Sequence, residues 1–435
     1  MKKAIKSVIV KVMTWEAGLV LKKYKPKIAT ITGSVGKTST KDAIYTVLSS
    51  SFFTRRSEKS FNTDISLPLT ILGCANGWSN PFIWIKNFFI GLSLILFRKP
   101  YPQWLVLEVG ADKPGDIESF AKWIKPDIAV LTRFGDVPVH VEFFPSIEDL
   151  VNEKGFLPRA LKPDGIFIYN ADDKRIVDFA ESIPNKKISF GFNPGSSVAG
   201  GDEAFIYGKY ESSALEFPVG ISFSASCNGS SFPVELLGNL GRHHMYPLLA
   251  GVAVGISQNI SHEKIAEALK THVTPKARMK LIAGIKNSLV IDDSYNSSPI
   301  AVYEALRALS DAKCAGKKIA VLGDMLELGQ YSVDEHKRVG EAAAKVADVL
   351  VAVGIRSRAT ADSALDSGMD ENAVFQFEKS QEAGKYLETI VSAGDIILIK
   401  GSQSMRMERA VEEIMAHPED KEKLLVRQEP EWLKR

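Results

Sequence analysis

Apolar and polar positions along this chain follow two rhythms. Short runs of consecutive apolar residues at 27–31, 104–109, 127–132 and 165–170 are separated by stretches of helical periodicity. Continuous apolar runs between helices are the pattern of strands buried on both faces, and so of a parallel sheet. Residues 185–237 break the rhythm: Gly, Ser and Phe recur with short alternation, which predicts an antiparallel β insertion or meander. Helical patterns follow near 244–258 and 262–271. A second series of strands is predicted at 288–293, 317–323, 349–353, 373–377 and 395–400, with helices between them. That is the order of a doubly wound, Rossmann-like domain. The chain therefore divides into an N-terminal helix and connector (1–27), a first α/β domain (28–273) and a second (274–435), with the boundary near Thr274-Pro275-Lys276. The charged tail from His417 is expected to cap the last helix or to be partly loose.

Two apolar stretches raise the question of a membrane. Residues 1–25 interleave Lys2, Lys3, Lys6 and Lys11 with Ile5, Val8, Ile9, Val12 and Met13. They contain no uninterrupted apolar core and no small-residue cleavage site, so they do not read as a signal peptide. Residues 81–97 are broken by Lys86 and Asn87 and fall short of the ~20 apolar residues of a spanning helix. A buried or interfacial helix is predicted instead. Trp84, Phe88, Phe89 and Leu92 are spaced for one helical face, expected to pack on the helix of residues 1–25. The competing expectation is a peripheral contact with the inner membrane surface through the lysines.

Composition changes this picture little. Hydrophobic residues make up 45% and charged residues 24%, an ordinary globular balance. A net charge of +2 gives no reason to propose a nucleic-acid partner. Cys74, Cys227 and Cys314 are too scattered for a disulfide framework or a zinc knuckle, which fits a reducing cytoplasm.

The most informative segment is residues 28–39, where an apolar strand runs into Gly33-Ser34-Val35-Gly36-Lys37-Thr38-Ser39 and a helix is expected from about Lys37. Glycines let backbone N–H groups turn toward phosphate oxygens, and the helix N-terminus adds partial positive charge. Lys37 supplies a point charge for the terminal phosphates, and the Thr38 hydroxyl suits Mg2+. The match is the short GxxGK[ST] form, because Ile31 stands where the longer motif has its first glycine. It predicts nucleotide binding without separating ligase, motor and kinase. Three further groups could complete a cation site. Glu108 ends a strand, His140 and Glu142 lie in a loop, and Lys154 follows fourteen residues after His140. Taken singly, these read as a strand-end carboxylate, loop residues and a solvated lysine. Histidine is also an unusual Mg2+ ligand.

Taken together, the motifs resemble the Mur ligases of peptidoglycan synthesis. The pieces are ITGSVGKTS (31–39), FNTDISLPLTIL (61–72), LEVGADKPGDI (107–117), HVEFFPS (140–146), NADD (170–173), GRHH (241–244), DDSYNSSP (292–299), VLGDMLELG (321–329) and KGSQSMRME (400–408). The last three resemble the branch of that family that joins a dipeptide to a peptide carboxylate on a UDP-sugar. The resemblance implies a P-loop ATPase domain followed by a Rossmann-like domain. It also implies ATP and Mg2+ as cofactors, small-molecule substrates, and an amide bond made through an acyl phosphate. By resemblance, Gly33 to Ser39 hold phosphates, with Lys37 the cation and Thr38 on a first Mg2+. Glu108, His140 and a carbamylated Lys154 serve a second. Arg278 reaches the phosphates from the second domain, Asp293 contacts the ribose, and His243, His244 and Asn296 belong to the nucleotide site. Asn62, Ser298, Lys400, Ser402 and Gln403 fall where the peptide substrates are held.

The chain departs from the family pattern in places. The KGE motif reads Lys154-Gly155-Phe156, GRHN becomes GRHH with Pro247 beyond it, SYNANP becomes SYNSSP, and KGSR becomes KGSQ. Ser66 replaces a glycine. Residues 1–27 stand where the family carries a UDP-sugar-binding domain, and 81–97 is additional. Two alternatives follow from these departures: a Mur-like ligase joining an amino acid or dipeptide to a different carboxylate, and a nucleotide-binding partner without turnover.

Overall fold

The computed structural model describes residues 2–57, 65–77, 80–111, 113–134, 143–209, 215–429 and 432, with side chains from residue 7 onward. Two sheets organise the chain. The first contains β1 (Lys27–Thr32), β2 (Thr54–Arg56), β3 (Trp104–Glu108), β4 (Ile128–Leu131), β5 (Ile166–Asn170), β6 (Lys186–Gly191), β7 (Val198–Lys209), β8 (Glu216–Cys227) and β9 (Ser230–Leu237). Its order is β2-β3-β1-β4-β5-β6-β7-β8-β9, parallel as far as β7 and antiparallel through β8 and β9. The meander read at 185–237 thus continues the parallel sheet edge to edge. The second sheet contains β10 (Lys280–Gly284), β11 (Ser288–Asp293), β12 (Lys318–Gly323), β13 (Val349–Val353), β14 (Val374–Phe377) and β15 (Ile396–Lys400), in the order β10-β11-β15-β12-β13-β14. All its pairings are parallel except that of the edge strand β10.

The helices of the first half are α1 (Lys2–Tyr24), α2 (Lys37–Ser49), α3 (Ser66–Leu72), α4 (Pro81–Leu96), α5 (Asp116–Ala121), α6 (Ile147–Arg159), α7 (Lys174–Glu181), α8 (Met245–Ser257) and α9 (His262–Lys270). The second half has α10 (Pro299–Asp311), α11 (Ser332–Ala344), α12 (Arg358–Asp366), α13 (Ser380–Ile390) and α14 (Glu408–Ile414). Strand alternation sends side chains to opposite faces. Ala29, Ile31 and Val106 join α2 and α8 in one core, while Ile28, Leu105 and Leu107 join α1, α3, α5 and α6 in another. Gly251 lets α8 close on α2: a Cβ there would lie 3.3 Å from the Ala43 carbonyl oxygen.

Helices α1 and α4 pack together, as the sequence predicts, but through a different face. The buried side of α4 is Asn87, Gly91 and Leu94, with the predicted Trp84 half-buried on the same core, whereas Phe88 and Phe89 point outward. Two contacts set this rotation. The Asn87 amide donates to the Ala75 carbonyl at 2.7 Å. Gly91 sits directly on Glu16, so closely that a Cβ would come within 2.2 Å of its carboxylate. At the far end Lys23 donates to the carbonyls of Leu94, Ile95 and Phe97 at 2.8–2.9 Å, capping the C-terminus of α4. Among the described residues no helix is long and apolar enough to cross a membrane.

Candidate active site

The loop after β1 has a shape only glycine can give it. Gly33 has φ +144°, and a Cβ there would lie 2.0 Å from Thr132 Oγ1. Ser34 and Val35 donate their N–H groups to the Arg133 carbonyl, at 2.8 and 3.1 Å. Gly36, at φ +82°, then turns the chain into the N-terminus of α2. Lys37 folds back over this loop, with Nζ 3.0 Å from the Gly33 carbonyl. Thr38 donates its hydroxyl to Glu108 Oε1 at 3.0 Å, and Ser39 is buried in the first turn of α2.

Lys154, in the middle of α6, is fully buried and donates to the Gly33 carbonyl at 2.8 Å and to Ser34 Oγ at 3.2 Å. It is no solvated lysine. Its helix is fixed by the Ser146 side chain, which accepts from the Asp149 N–H at 3.1 Å. Lys41 is equally buried, donating to the Ser57 carbonyl at 2.9 Å and standing 4.0 Å from Glu108 Oε2. Lys41 also pairs with the buried Asp42 at 3.3 Å, so the cations that end on the loop itself are Lys37 and Lys154, a charge suited to a polyphosphate. Asn62, His140 and Glu142 lie outside the described residues.

Glu108 Oε2 is buried with no hydrogen-bond partner among the described residues. With Oε1 and the Thr38 hydroxyl it offers oxygen donors beside the loop, which fits a small hard cation. No cluster of three or more His, Cys, Asp or Glu side chains able to hold a metal occurs among the described residues. A Mg2+ that keeps water and phosphate oxygens in its shell needs no such cluster.

The second half of the chain faces this loop. Arg278 lies over the Tyr295 ring at 4.3 Å, its carbonyl accepting from Asn239 Nδ2 at 2.7 Å. Asp293 is doubly engaged, accepting from the Met279 N–H at 3.2 Å and from Lys400 Nζ at 2.6 Å. Lys400 also donates to the Asn296 carbonyl at 3.0 Å. Ser298 precedes α10 and is buried. Ser402 Oγ accepts from the Leu326 N–H at 2.9 Å, and Gln403 is exposed. His243 and His244 stand before α8 with ring centroids 4.5 Å apart. Burial first, then the charges of Lys400, Arg278 and Arg133, push His243 down to about 3. Burial, followed by His243, holds His244 well below the usual range. Both rings are therefore neutral at physiological pH.

The cleft also uses residues the motifs do not flag. Arg133 pairs with Glu304 at 3.1 Å, joining the end of β4 to α10. Around this pair Val35, Gly36, Thr40, Asn170, Tyr246 and Ile300 line a narrow cavity beside the phosphate loop. Lys41 could have been found, since it lies one helical turn beyond Lys37 on the same face. Arg133 and Glu304 are 171 residues apart and leave no local signal.

Residues 86–255 match the Mur ligase middle domain, and residues 277–403 match the Mur ligase glutamate ligase domain. UDP-N-acetylmuramoyl-tripeptide–D-alanyl-D-alanine ligase of Bacillus subtilis strain 168 is 26% identical over 406 residues, covering 92% of this chain and 78% of its own. The enzyme of the same name from Escherichia coli K12 is 28% identical over 399 residues, covering 91% and 78%. The MurF ligase of Thermotoga maritima, solved in complex with ADP, superposes with a TM-score of 0.74 at 25% identity, covering 93% of this chain and 83% of that one.

Proposed function

We propose that this chain, which belongs to the Mur ligase family, is an ATP-dependent ligase that adds D-alanyl-D-alanine to a UDP-N-acetylmuramoyl-tripeptide in the cytoplasm. The observation that carries this reading is the convergence of Lys37, Lys154 and the Thr38–Glu108 pair on one glycine loop. In this reading residues 28–273 bind the ATP phosphates, and 274–435 close over them.

The peptide carboxylate attacks the γ-phosphorus of ATP, ADP departs, and an acyl phosphate remains. The amine of the dipeptide then attacks the acyl carbon, loses its proton, and expels phosphate. Negative charge grows on the phosphoryl oxygens in the first step. The N–H groups at the start of α2, Lys37 and Arg278 would neutralise it, Lys37 by exchanging its bond to the Gly33 carbonyl for the phosphate and Arg278 on closure. Thr38 and Glu108 would hold one Mg2+, and Glu108, His140 and Lys154 as its carbamate a second; when bound, Mg2+ supplies Lewis-acid stabilisation of those oxygens. Asp293, His243, His244 and Asn296 would surround the nucleoside. Asn62, Ser298, Lys400, Ser402 and Gln403 would meet the peptide substrates. Because the groups come from both domains, closure precedes chemistry.

The test is ADP release with UDP-N-acetylmuramoyl-tripeptide, with and without D-alanyl-D-alanine, and the product mass. ADP formation that requires both substrates and yields the joined product is expected. ADP release indifferent to the dipeptide, or supported only by a different acceptor, would overturn the assignment.

A further inference from the structure

We propose that the α1–α4 helix pair is a docking platform for the surface of an anionic phospholipid bilayer. The outward stripe of α4 is apolar and continuous. Phe82, Ile85, Phe89 and Leu96 recur at helical spacing, and Phe82 is 78% and Phe89 60% exposed. Phe97 extends the stripe beyond the helix end, and Trp15 is exposed on α1. Soluble proteins seldom leave this much contiguous apolar surface without an occupant.

Charge identifies the occupant. Residues 1–25 and 65–107 carry ten lysines and arginines, seven in the first segment and three in the second, yet only one carboxylate, Glu16. Glu16 is fully buried, so it puts no negative charge on the surface. The whole chain has a net charge of only +2, so this region holds a concentrated excess. Lys86, Arg98 and Lys99 are exposed beside the apolar stripe, as Lys11 and Lys22 are on α1. Apolar side chains rimmed by cations match a bilayer interface, where the rings enter the acyl boundary and the cations meet lipid phosphates. A second copy of the same face would instead set like charges against each other. Neither helix can cross the bilayer, so the pair lies along the surface. The Lys23 cap and the Glu16–Gly91 contact lock the two helices together in advance.

The test is flotation of the full chain with vesicles of phosphatidylglycerol and phosphatidylcholine, and with phosphatidylcholine alone. The chain is expected to float with the anionic vesicles and to be released by high salt. The pair Ile85→Glu with Phe89→Glu, both on the exposed face, is expected to lower bound protein at least tenfold while leaving the melting temperature and ATP-dependent turnover in solution unchanged. The pair Arg98→Glu with Lys99→Glu should also weaken binding, and more strongly at low salt. Absence of flotation at physiological ionic strength would overturn the proposal. So would equal binding to neutral vesicles, or a stable dimer that the Ile85 and Phe89 substitutions dissociate.

Discussion

Lys154 shows how burial changes the meaning of a residue. On the surface it would be one lysine among many, but in the structure its Nζ ends on the Gly33 carbonyl and Ser34 Oγ, inside the phosphate loop. Two roles compete there: a fixed cation for the phosphates, or a carbamate that turns the side chain into an oxygen ligand for Mg2+. Lys154→Ala is expected to lower kcat about a hundredfold or more, the usual cost of removing one preorganised group from a transition state. Under the carbamate role, short-chain carboxylates partly restore the alanine variant, and Lys154→Arg stays inactive although it keeps a charge. Assays of ADP release with and without added acetate separate the two. An active arginine variant with no acetate effect would assign the cation role instead.

At the scale of elements, the α1–α4 pair carries an unusual burden. Glu16 is enclosed with neither carboxylate oxygen hydrogen-bonded among the described residues, and burial pushes its pKa up to about 7 from 4.5. The folded state therefore holds this proton more tightly than the unfolded state does. Stability falls as pH rises from about 4.5 through about 7, and the full penalty applies above that. Glu16→Gln removes the charge and keeps the shape. Its melting temperature relative to the parent is expected to rise between pH 5 and pH 8, read by calorimetry; a difference that does not vary with pH would refute this. Local pattern captured the elements themselves well. β1, β3, β4 and the core strands of the second sheet are apolar runs with few competing interpretations. β10 escaped notice because Lys280 and Gly284 bracket only three apolar residues, and it pairs antiparallel at the sheet edge. The rotation of α4 was misread because aromatic spacing suggests a buried face, whereas a glycine contact and one asparagine hydrogen bond decide it. The phosphate loop was legible because its glycines are required by backbone geometry. The neutral state of His243 and His244 was not, because it depends first on burial in the folded cleft and, for His243, on the charges of Lys400, Arg278 and Arg133.

Across the whole molecule, the two halves share one apolar core, in which Leu240, Met245 and Leu248 join Met279, Leu281 and Val302, and partly exposed polar contacts rim it. Arg133 pairs with Glu304 at 3.1 Å, Arg307 of α10 reaches Glu203 of β7 at 3.6 Å, and the Lys313 N–H donates to the Tyr207 hydroxyl at 3.0 Å. Ion pairs with this much solvent access are each worth about 0.2–1 kcal/mol. This polar rim adds little to the apolar contact between the halves, so removing part of it should shift closure, which a ligase needs to exchange nucleotide and product, without abolishing it. An energy of about 1 kcal/mol corresponds to roughly a fivefold change in the closed population. Glu304→Ala is accordingly expected to raise KM for ATP by about two- to fivefold with a smaller effect on kcat, because it shifts closure without removing a group that touches the phosphates. Combined with Arg133→Ala, the effect should be less than additive, since both substitutions break the same pair. Solution scattering of the nucleotide-free Glu304→Ala variant should show a larger radius of gyration than the parent, and saturating ATP should restore the compact form. Unchanged scattering together with an unchanged KM would mean that the cleft is held by its apolar contacts, and that Arg133 and Glu304 only decorate its rim.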